Sequence, residues 1–133
     1  LSGQRMFEHL LAHEEGAFMI NCAAGKDRTG MLAALTHHVL GVHRDDVMED
    51  YLLTNVAGNI EGRIEAGGTL VRRTHGPEIS DEAVRTLMTA HPAWLEAMFA
   101  AIRERHHSVH DYADVVLGVS PKRLAQIEDR LLV

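Results

Sequence analysis

"INCAAGKDRTGM", residues 20–31, predicts a strand, a tight loop and a helix in direct succession. The apolar run "AFMIN" over residues 17–21 is long enough for one buried strand that leads into the loop. Cys22, the only cysteine of the chain, follows this run, and small residues after it let the backbone curl tightly. A buried helix over 28–40 comes next and stops at Gly41.

The chemistry of this loop favours binding of an anion, and of phosphate in particular. Amide N–H groups of a loop curled in this way can form an anion nest, and the helix N-terminus adds partial positive charge. Arg28 can offer a planar fork of donors to phosphate oxygens. The same field favours the thiolate, so Cys22 is predicted to have a depressed pKa and to be nucleophilic. The alternative is an inert, packed cysteine, but Cys-x5-Arg-Thr with an internal glycine is a specific pattern.

Composition and charge exclude several classes of function. The 133 residues suit a single domain over residues 1–133, and the formal net charge of −6 argues against nonspecific nucleic-acid binding. No apolar run reaches about 18 residues, so stable membrane insertion is not expected. A single cysteine allows neither an internal disulfide nor a multi-cysteine zinc site, and "HLLAH" lacks the glutamate of a zinc-protease motif. We therefore predict no metal and no other cofactor.

A thiolate suits a reducing compartment, so the cytoplasm is the predicted location, with secretion by a non-classical route left open.

The rest of the chain predicts a mostly helical part of an α/β domain, with about six helices and one clear strand. Residues 57–79 contain five glycines and are predicted to be irregular, with at most a short helical piece. A lone strand cannot satisfy its own backbone groups. The other strands are therefore expected from residues N-terminal to Leu1 or from another chain. The helical patterns lie over 3–15, 28–40, 44–56, 81–90, 92–106, 108–117 and 120–132.

The segment "NCAAGKDRTGMLAAL" (21–35) resembles the active site of the bacterial tyrosine-protein phosphatases whose loop reads His-Cys-x-x-Gly-Lys-Asp-Arg-Thr-Gly. "VMEDYLLTN" (47–55) and "HDYADVVLGVSPKRLAQIEDRLL" (110–132) are similar to later segments of that family. The resemblance covers most of this chain but only the C-terminal half or so of a full family domain. It implies a cysteine-phosphatase-like α/β domain with a dual-specificity-like fold, in a family of which some members hydrolyse phosphoinositides.

The resemblance also assigns roles to the residues of the loop. Cys22 matches the nucleophile that takes the phosphoryl group and forms a cysteinyl-phosphate. Arg28 matches the arginine that holds the phosphate and its transition-state charge. Thr29 matches the hydroxyl that hydrogen-bonds to the sulfur and helps it leave. The residues that would line the phosphate cradle are Ala23, Ala24, Gly25, Lys26, Asp27 and Arg28.

Three loop positions leave alternatives open. Lys26 is expected either to add positive charge beside a multiply phosphorylated lipid headgroup, as the resemblance implies, or to be solvated on the rim. Asp27 is the best local general acid, and its alternatives are a structural carboxylate or an acid upstream of Leu1. Asn21 replaces the family's histidine. Because asparagine cannot carry charge, we expect an intact loop with a higher Cys22 pKa than in a histidine-bearing relative.

Together these features predict a protein-tyrosine phosphatase that works through a cysteinyl-phosphate, with dual specificity or phosphoinositide hydrolysis as further activities. Its partners would be a phosphotyrosine protein or a phosphoinositide. The alternative is a catalytically weak or inactive phosphate-binding pseudophosphatase that serves as an interaction module. Asn21 and the absent strands motivate that alternative.

Overall fold

The structure, a computed structural model, describes residues 3–12, 16–57 and 59–132. This part of the chain is mostly helical, as the sequence predicts, and every predicted helix is present with somewhat different ends. Residues 13–15 of the first predicted helix lie outside the described ranges. The helices are α1 (Gly3–Ala12), α2 (Asp27–Val39), α3 (Arg44–Leu52), a 3-10 helix (Leu53–Asn55), α4 (Ile60–His75), α5 (Asp81–Met88), α6 (Pro92–Arg105), α7 (Val109–Val115) and α8 (Pro121–Leu131).

The helix ends follow local signals in the sequence. The Ser80 hydroxyl accepts a hydrogen bond from the Ala83 amide at 3.2 Å, which satisfies one of the free amides at the start of α5. Pro92 lies in the first turn of α6, where its missing N–H removes no helical hydrogen bond. Gly41, just after α2, has a φ of +78°, a conformation that glycine adopts readily.

Helix α2 lies at the centre of the packing and carries the loop on its N-terminal end. Leu35 belongs to a hydrophobic cluster that joins α2 to α1, α6, α7 and α8. Ala34 belongs to a second cluster with residues of α3 and α6. Gly30 permits the close approach of α3, since a Cβ there would lie 2.8 Å from Tyr51 Cδ2. The first turn of α2, which follows Cys22, is therefore held by packing on several sides.

The predicted strand over 17–21 does not form, and the structure assigns no β-strand within the ranges it describes. In those ranges, no backbone hydrogen bond involves residues 17–21. A strand exists only where a neighbour pairs with its N–H and C=O groups. The strand is therefore not confirmed, because the apolar pattern indicates which residues suit a strand but supplies no pairing partner.

The prediction of irregular chain over residues 57–79 is also wrong, because α4 fills most of that range. Each glycine inside a helix costs about 1 kcal/mol, but here glycines permit close packing against α5. A Cβ on Gly67 would lie 2.5 Å from Met88 Sδ. A Cβ on Gly68 would lie 3.1 Å from Val84 Cγ1. Tertiary packing thus outweighs the low helix propensity of these residues.

Polar contacts also support α4. Asn59 Oδ1 accepts a hydrogen bond from the Gly62 amide at 3.0 Å and so caps the helix. The Arg85 guanidinium in α5 donates to both Glu61 carboxylate oxygens, at 3.0 and 2.8 Å. Helices α4 and α5 therefore form a hairpin, here called the α4–α5 hairpin, that its own contacts hold together.

Candidate active site

Cys22 lies in the loop between residues 17–21 and α2, with its side chain partly exposed. The pKa of its thiol falls from 9.0 to about 6, chiefly because the Thr29 side chain interacts with the sulfur and favours its charged form. Partial burial acts in the opposite direction, and the backbone amides of Thr29, Lys26 and Ala24 lower the pKa further. The thiol is therefore mostly ionised at neutral pH, in the form that acts as a nucleophile.

The Thr29 hydroxyl lies inside the first turn of α2. Its oxygen is buried and makes no hydrogen bond of regular geometry to any described residue. Its interaction with the Cys22 sulfur is nevertheless the largest cause of the lowered thiol pKa. A hydroxyl proton rotates freely and a charged sulfur attracts it strongly, so ionisation of Cys22 supplies the partner that this hydroxyl otherwise lacks.

Arg28 and Gly25 give the loop its donors and its curvature. The Arg28 side chain is exposed, and within the described ranges no residue forms an ion pair or hydrogen bond with its guanidinium. Its fork of donors is therefore free for an external anion. Gly25 has a φ of +63°, the left-handed region that residues with a side chain rarely adopt, and this turn lets the backbone curl between Cys22 and α2.

Lys26 lies in the interior and is only 4% exposed. Its Nζ donates to the carbonyl oxygens of Leu87 and Thr89, both at 2.9 Å. The same nitrogen lies 3.0 Å from Asp27 Oδ1 and 5.0 Å from the centroid of the Trp94 ring. The alternative of a solvated lysine on the rim is therefore wrong. Contact between this ammonium and a substrate stays a prediction.

Asp27 opens α2, and its side chain is 44% exposed. Its Oδ1 is buried and close enough to Lys26 Nζ for an ion pair, but the pair lacks hydrogen-bond geometry. The pKa of Tyr51 is raised first by its own burial and then by the charge of Asp27. The Tyr51 hydroxyl has no hydrogen-bond partner among the described residues. This placement suits both predicted roles of Asp27, the general acid and the structural carboxylate.

Asn21 takes no part in the interactions around the sulfur. Its side chain is exposed and, within the described part of the chain, has no hydrogen bond. It lines a cavity of about 470 Å³ together with Arg5, His9 and Met19. Thr29 and the loop amides, rather than Asn21, cause the lowered pKa of Cys22. The predicted effect of this position on the thiol stays a prediction.

The described residues hold no group of three or more His, Cys, Asp and Glu side chains that could bind a metal ion. Among the helices that the structure describes, none is long and apolar enough to cross a membrane.

Two features of the site were missed by sequence reasoning. The carbonyls of Leu87 and Thr89 bind Lys26 across 61 and 63 residues, and a backbone acceptor leaves no signal in the sequence. Tyr51 has the apolar spacing of a core residue, and the sequence does not indicate that its ring packs on Gly30 near Asp27. Both features depend on how distant helices pack.

Known proteins resemble this chain over most of its length. The tyrosine phosphatase family matches residues 2–133. A tyrosine-protein phosphatase of Nostoc commune is 28% identical over 131 residues, which cover 96% of this chain and 43% of that protein. A Cupriavidus necator protein, provisionally named a tyrosine-protein phosphatase, is 30% identical over 106 residues, 80% of this chain and 37% of that protein.

The chain therefore belongs to the tyrosine phosphatase family, and the predicted resemblance to its bacterial members is confirmed. It spans less than half the length of these two relatives.

Proposed function

We propose that this chain carries the catalytic loop of a protein-tyrosine phosphatase that hydrolyses phosphate monoesters through a cysteinyl-phosphate. The main observation is the position of Cys22, partly exposed in a loop that turns at Gly25 just before α2, where Thr29 and neighbouring amides lower its pKa to about 6. An ionised thiol beside a helix N-terminus combines a nucleophile with an anion site. The family match and the names of the two relatives support phosphatase chemistry.

The proposed reaction has two steps. In the first, Cys22 Sγ attacks phosphorus, an S–P bond forms, and the bond from phosphorus to the ester oxygen breaks. Arg28 and the loop amides hold the remaining phosphate oxygens and the charge that develops on them. Asp27 gives a proton to the leaving oxygen.

In the second step, water attacks the cysteinyl-phosphate and gives a proton to Asp27. The S–P bond then breaks, which releases inorganic phosphate and returns the thiolate. The Thr29 hydroxyl stabilises the departing sulfur by the same interaction that lowers the pKa of the thiol. The group that makes Cys22 a nucleophile thus also makes it a leaving group.

Phosphotyrosine proteins are the first proposed substrate class, and phosphoinositides and other phosphorylated side chains are the second. All present a phosphate monoester, which is the group that the loop amides and Arg28 are proposed to bind and Cys22 to attack. The exposed loop residues Ala23, Ala24 and Gly25 leave the approach to Cys22 open. The proposed location is the reducing cytoplasm, where a thiolate persists.

The strands that residues 17–21 lack are proposed to come from an N-terminal segment or from another chain. The backbone groups of these residues have no partner among the described residues. Phe18 is 40% exposed and Met19 is 83% exposed, so apolar side chains beside that backbone are also uncovered. Pairing with an added strand would satisfy the backbone groups and cover these side chains.

The proposal is tested by turnover of a small aryl phosphate under reducing conditions, in the protein and in Cys22→Ser. We expect measurable turnover that falls by about 10⁴-fold or more in the variant, because the nucleophile is lost. Inorganic phosphate should still bind the variant, since the amides and Arg28 remain. Turnover that survives the substitution would contradict the cysteinyl-phosphate mechanism.

A phosphate-binding pseudophosphatase that serves as an interaction module is the second candidate. Asn21 in place of the family's histidine favours it. Tight binding of a phosphotyrosine peptide without turnover by the unmodified protein would support this candidate over the enzyme.

A further inference from the structure

The ammonium group of Lys26 is buried among contacts with other parts of the protein. Two of its contacts are hydrogen bonds of 2.9 Å to the Leu87 and Thr89 carbonyls. A third is the ion pair with Asp27 Oδ1 at 3.0 Å, and the Trp94 ring covers the charge. Lys26 is only 4% exposed, so these contacts leave no open approach to the ammonium. An external phosphate could therefore bind this ammonium only after internal contacts were broken.

The two carbonyls that bind Lys26 lie at the C-terminal end of α5. A helix leaves its last carbonyls without internal partners, and its dipole places partial negative charge there. The next residue, Ala90, is held by Asn55. The Asn55 Oδ1 accepts from the Ala90 amide at 2.7 Å, and its Nδ2 donates to the Ala90 carbonyl at 2.8 Å. The connector between α5 and α6 is thus held by Lys26, from the loop over residues 22–28 (here called the phosphate loop), and by Asn55, from the 3-10 helix.

The backbone of Lys26 belongs to the phosphate cradle. Its amide is one of the groups that lower the pKa of Cys22, and its carbonyl accepts from the Gly30 amide at 2.7 Å in the first turn of α2. Anchoring the side chain therefore also places the amide, and with it the neighbouring Asp27. The α4–α5 hairpin ends at the same connector, so its position is tied to the loop as well.

We propose that Lys26 is a positioning residue that ties the phosphate loop to the α5–α6 connector and is not a ligand for a second phosphate of the substrate. Through its anchored side chain it places its own amide beside Cys22 and places Asp27 at the start of α2. The effect on turnover rests on the proposed function. The effect on the reactivity of Cys22 does not require turnover.

The test compares the protein with Lys26→Met, which keeps the apolar stem beside Trp94 and removes the charge. Lys122→Met is the matched control, because Lys122 is exposed in α8 and is the other lysine of the chain. The rate of Cys22 alkylation by iodoacetamide is measured against pH. We expect the midpoint of Lys26→Met to move above its starting value of about 6, and that of Lys122→Met to stay there.

The second measurement is kcat and KM on a small aryl phosphate and on a short-chain phosphoinositide with two ring phosphates. We expect kcat of Lys26→Met to fall by about 10- to 100-fold, by the same factor on both substrates and with little change in KM, because the cradle is misplaced. A ligand for a second phosphate would instead show a KM increase confined to the phosphoinositide, and that result would overturn the proposal.

Trp94→Leu keeps the proposal testable if Lys26→Met fails to fold. This variant removes the ring that lies beside the Lys26 ammonium and leaves the residues of the loop unchanged. We expect a smaller shift of the alkylation midpoint in the same direction. An unchanged midpoint in the folded variants would overturn the positioning role. If the unmodified protein shows no turnover, the proposed function fails by itself, and the alkylation midpoints still decide the role of Lys26.

Discussion

The phosphate loop and residues 17–21 are neighbours in the chain and differ in how their polar groups are satisfied. In the loop, Thr29 and backbone amides act on the Cys22 sulfur, and Lys26 is anchored to the end of α5. Residues 17–21 have no backbone partner in the part of the chain that the structure describes. The groups that lower the pKa of Cys22 thus belong to residues close to it in the chain, whereas a strand depends on a second segment.

After Cys22→Ser, the largest expected effect comes from Arg28→Ala. The exposed guanidinium has no partner among the described residues, so we expect its donors to serve the phosphate in the transition state. Its removal should lower kcat/KM on a small aryl phosphate by about 10³-fold. Arg105→Ala, an exposed arginine at the end of α6, is the control and should leave turnover unchanged. Equal losses in the two variants would show that the loop does not use Arg28 specifically.

Amide hydrogen exchange compares the two regions directly. We expect the amides of residues 17–21 to exchange at least about 100-fold faster than those of Leu35 and Val39 in α2, whose helix is buried and hydrogen-bonded. Mass spectrometry of peptides from each region measures the difference. Slow exchange over 17–21 would mean that a strand partner is already in place and would remove the contrast.

Thr29→Val removes the largest cause of the lowered thiol pKa while keeping a β-branched side chain of similar size. The pKa of Cys22 should rise from about 6 by about one unit or more. The thiolate exists above the pKa, so alkylation at neutral pH should slow and recover as the pH is raised. Thr69→Val, at an exposed position in α4, is the control. An unchanged pH midpoint would contradict the role of the hydroxyl.

The smallest expected effect comes from Asn21→His. A charged imidazole near the loop should lower the pKa of Cys22, but by only about half a unit, because Thr29 and the amides already act on the sulfur. Asn21→Ala separates the loss of the amide from the gain of charge. The alkylation midpoint again measures the outcome. An equal or higher pKa of Cys22 in the histidine variant would contradict the expectation that asparagine at position 21 raises this pKa.

The range over which residues interact explains which predictions succeeded. The helix over 28–40 and the helix starts at Ser80 and Pro92 depend on neighbours within a turn, and the structure contains them. The irregular chain expected over 57–79 failed for the opposite reason. Its glycines are favourable there because residues of α5 pack against them, and local propensity cannot indicate that contact.

By itself, the sequence determined the reactive character of the loop. The turn at Gly25, the helix that follows and the position of Cys22 are set by adjacent residues, and together they lower the pKa of the thiol to about 6. Only the tertiary structure decided that Lys26 is buried, because its carbonyl partners lie 61 and 63 residues away. Pairing of residues 17–21 is likewise a tertiary matter, because backbone groups in an extended segment can be satisfied only by a second segment.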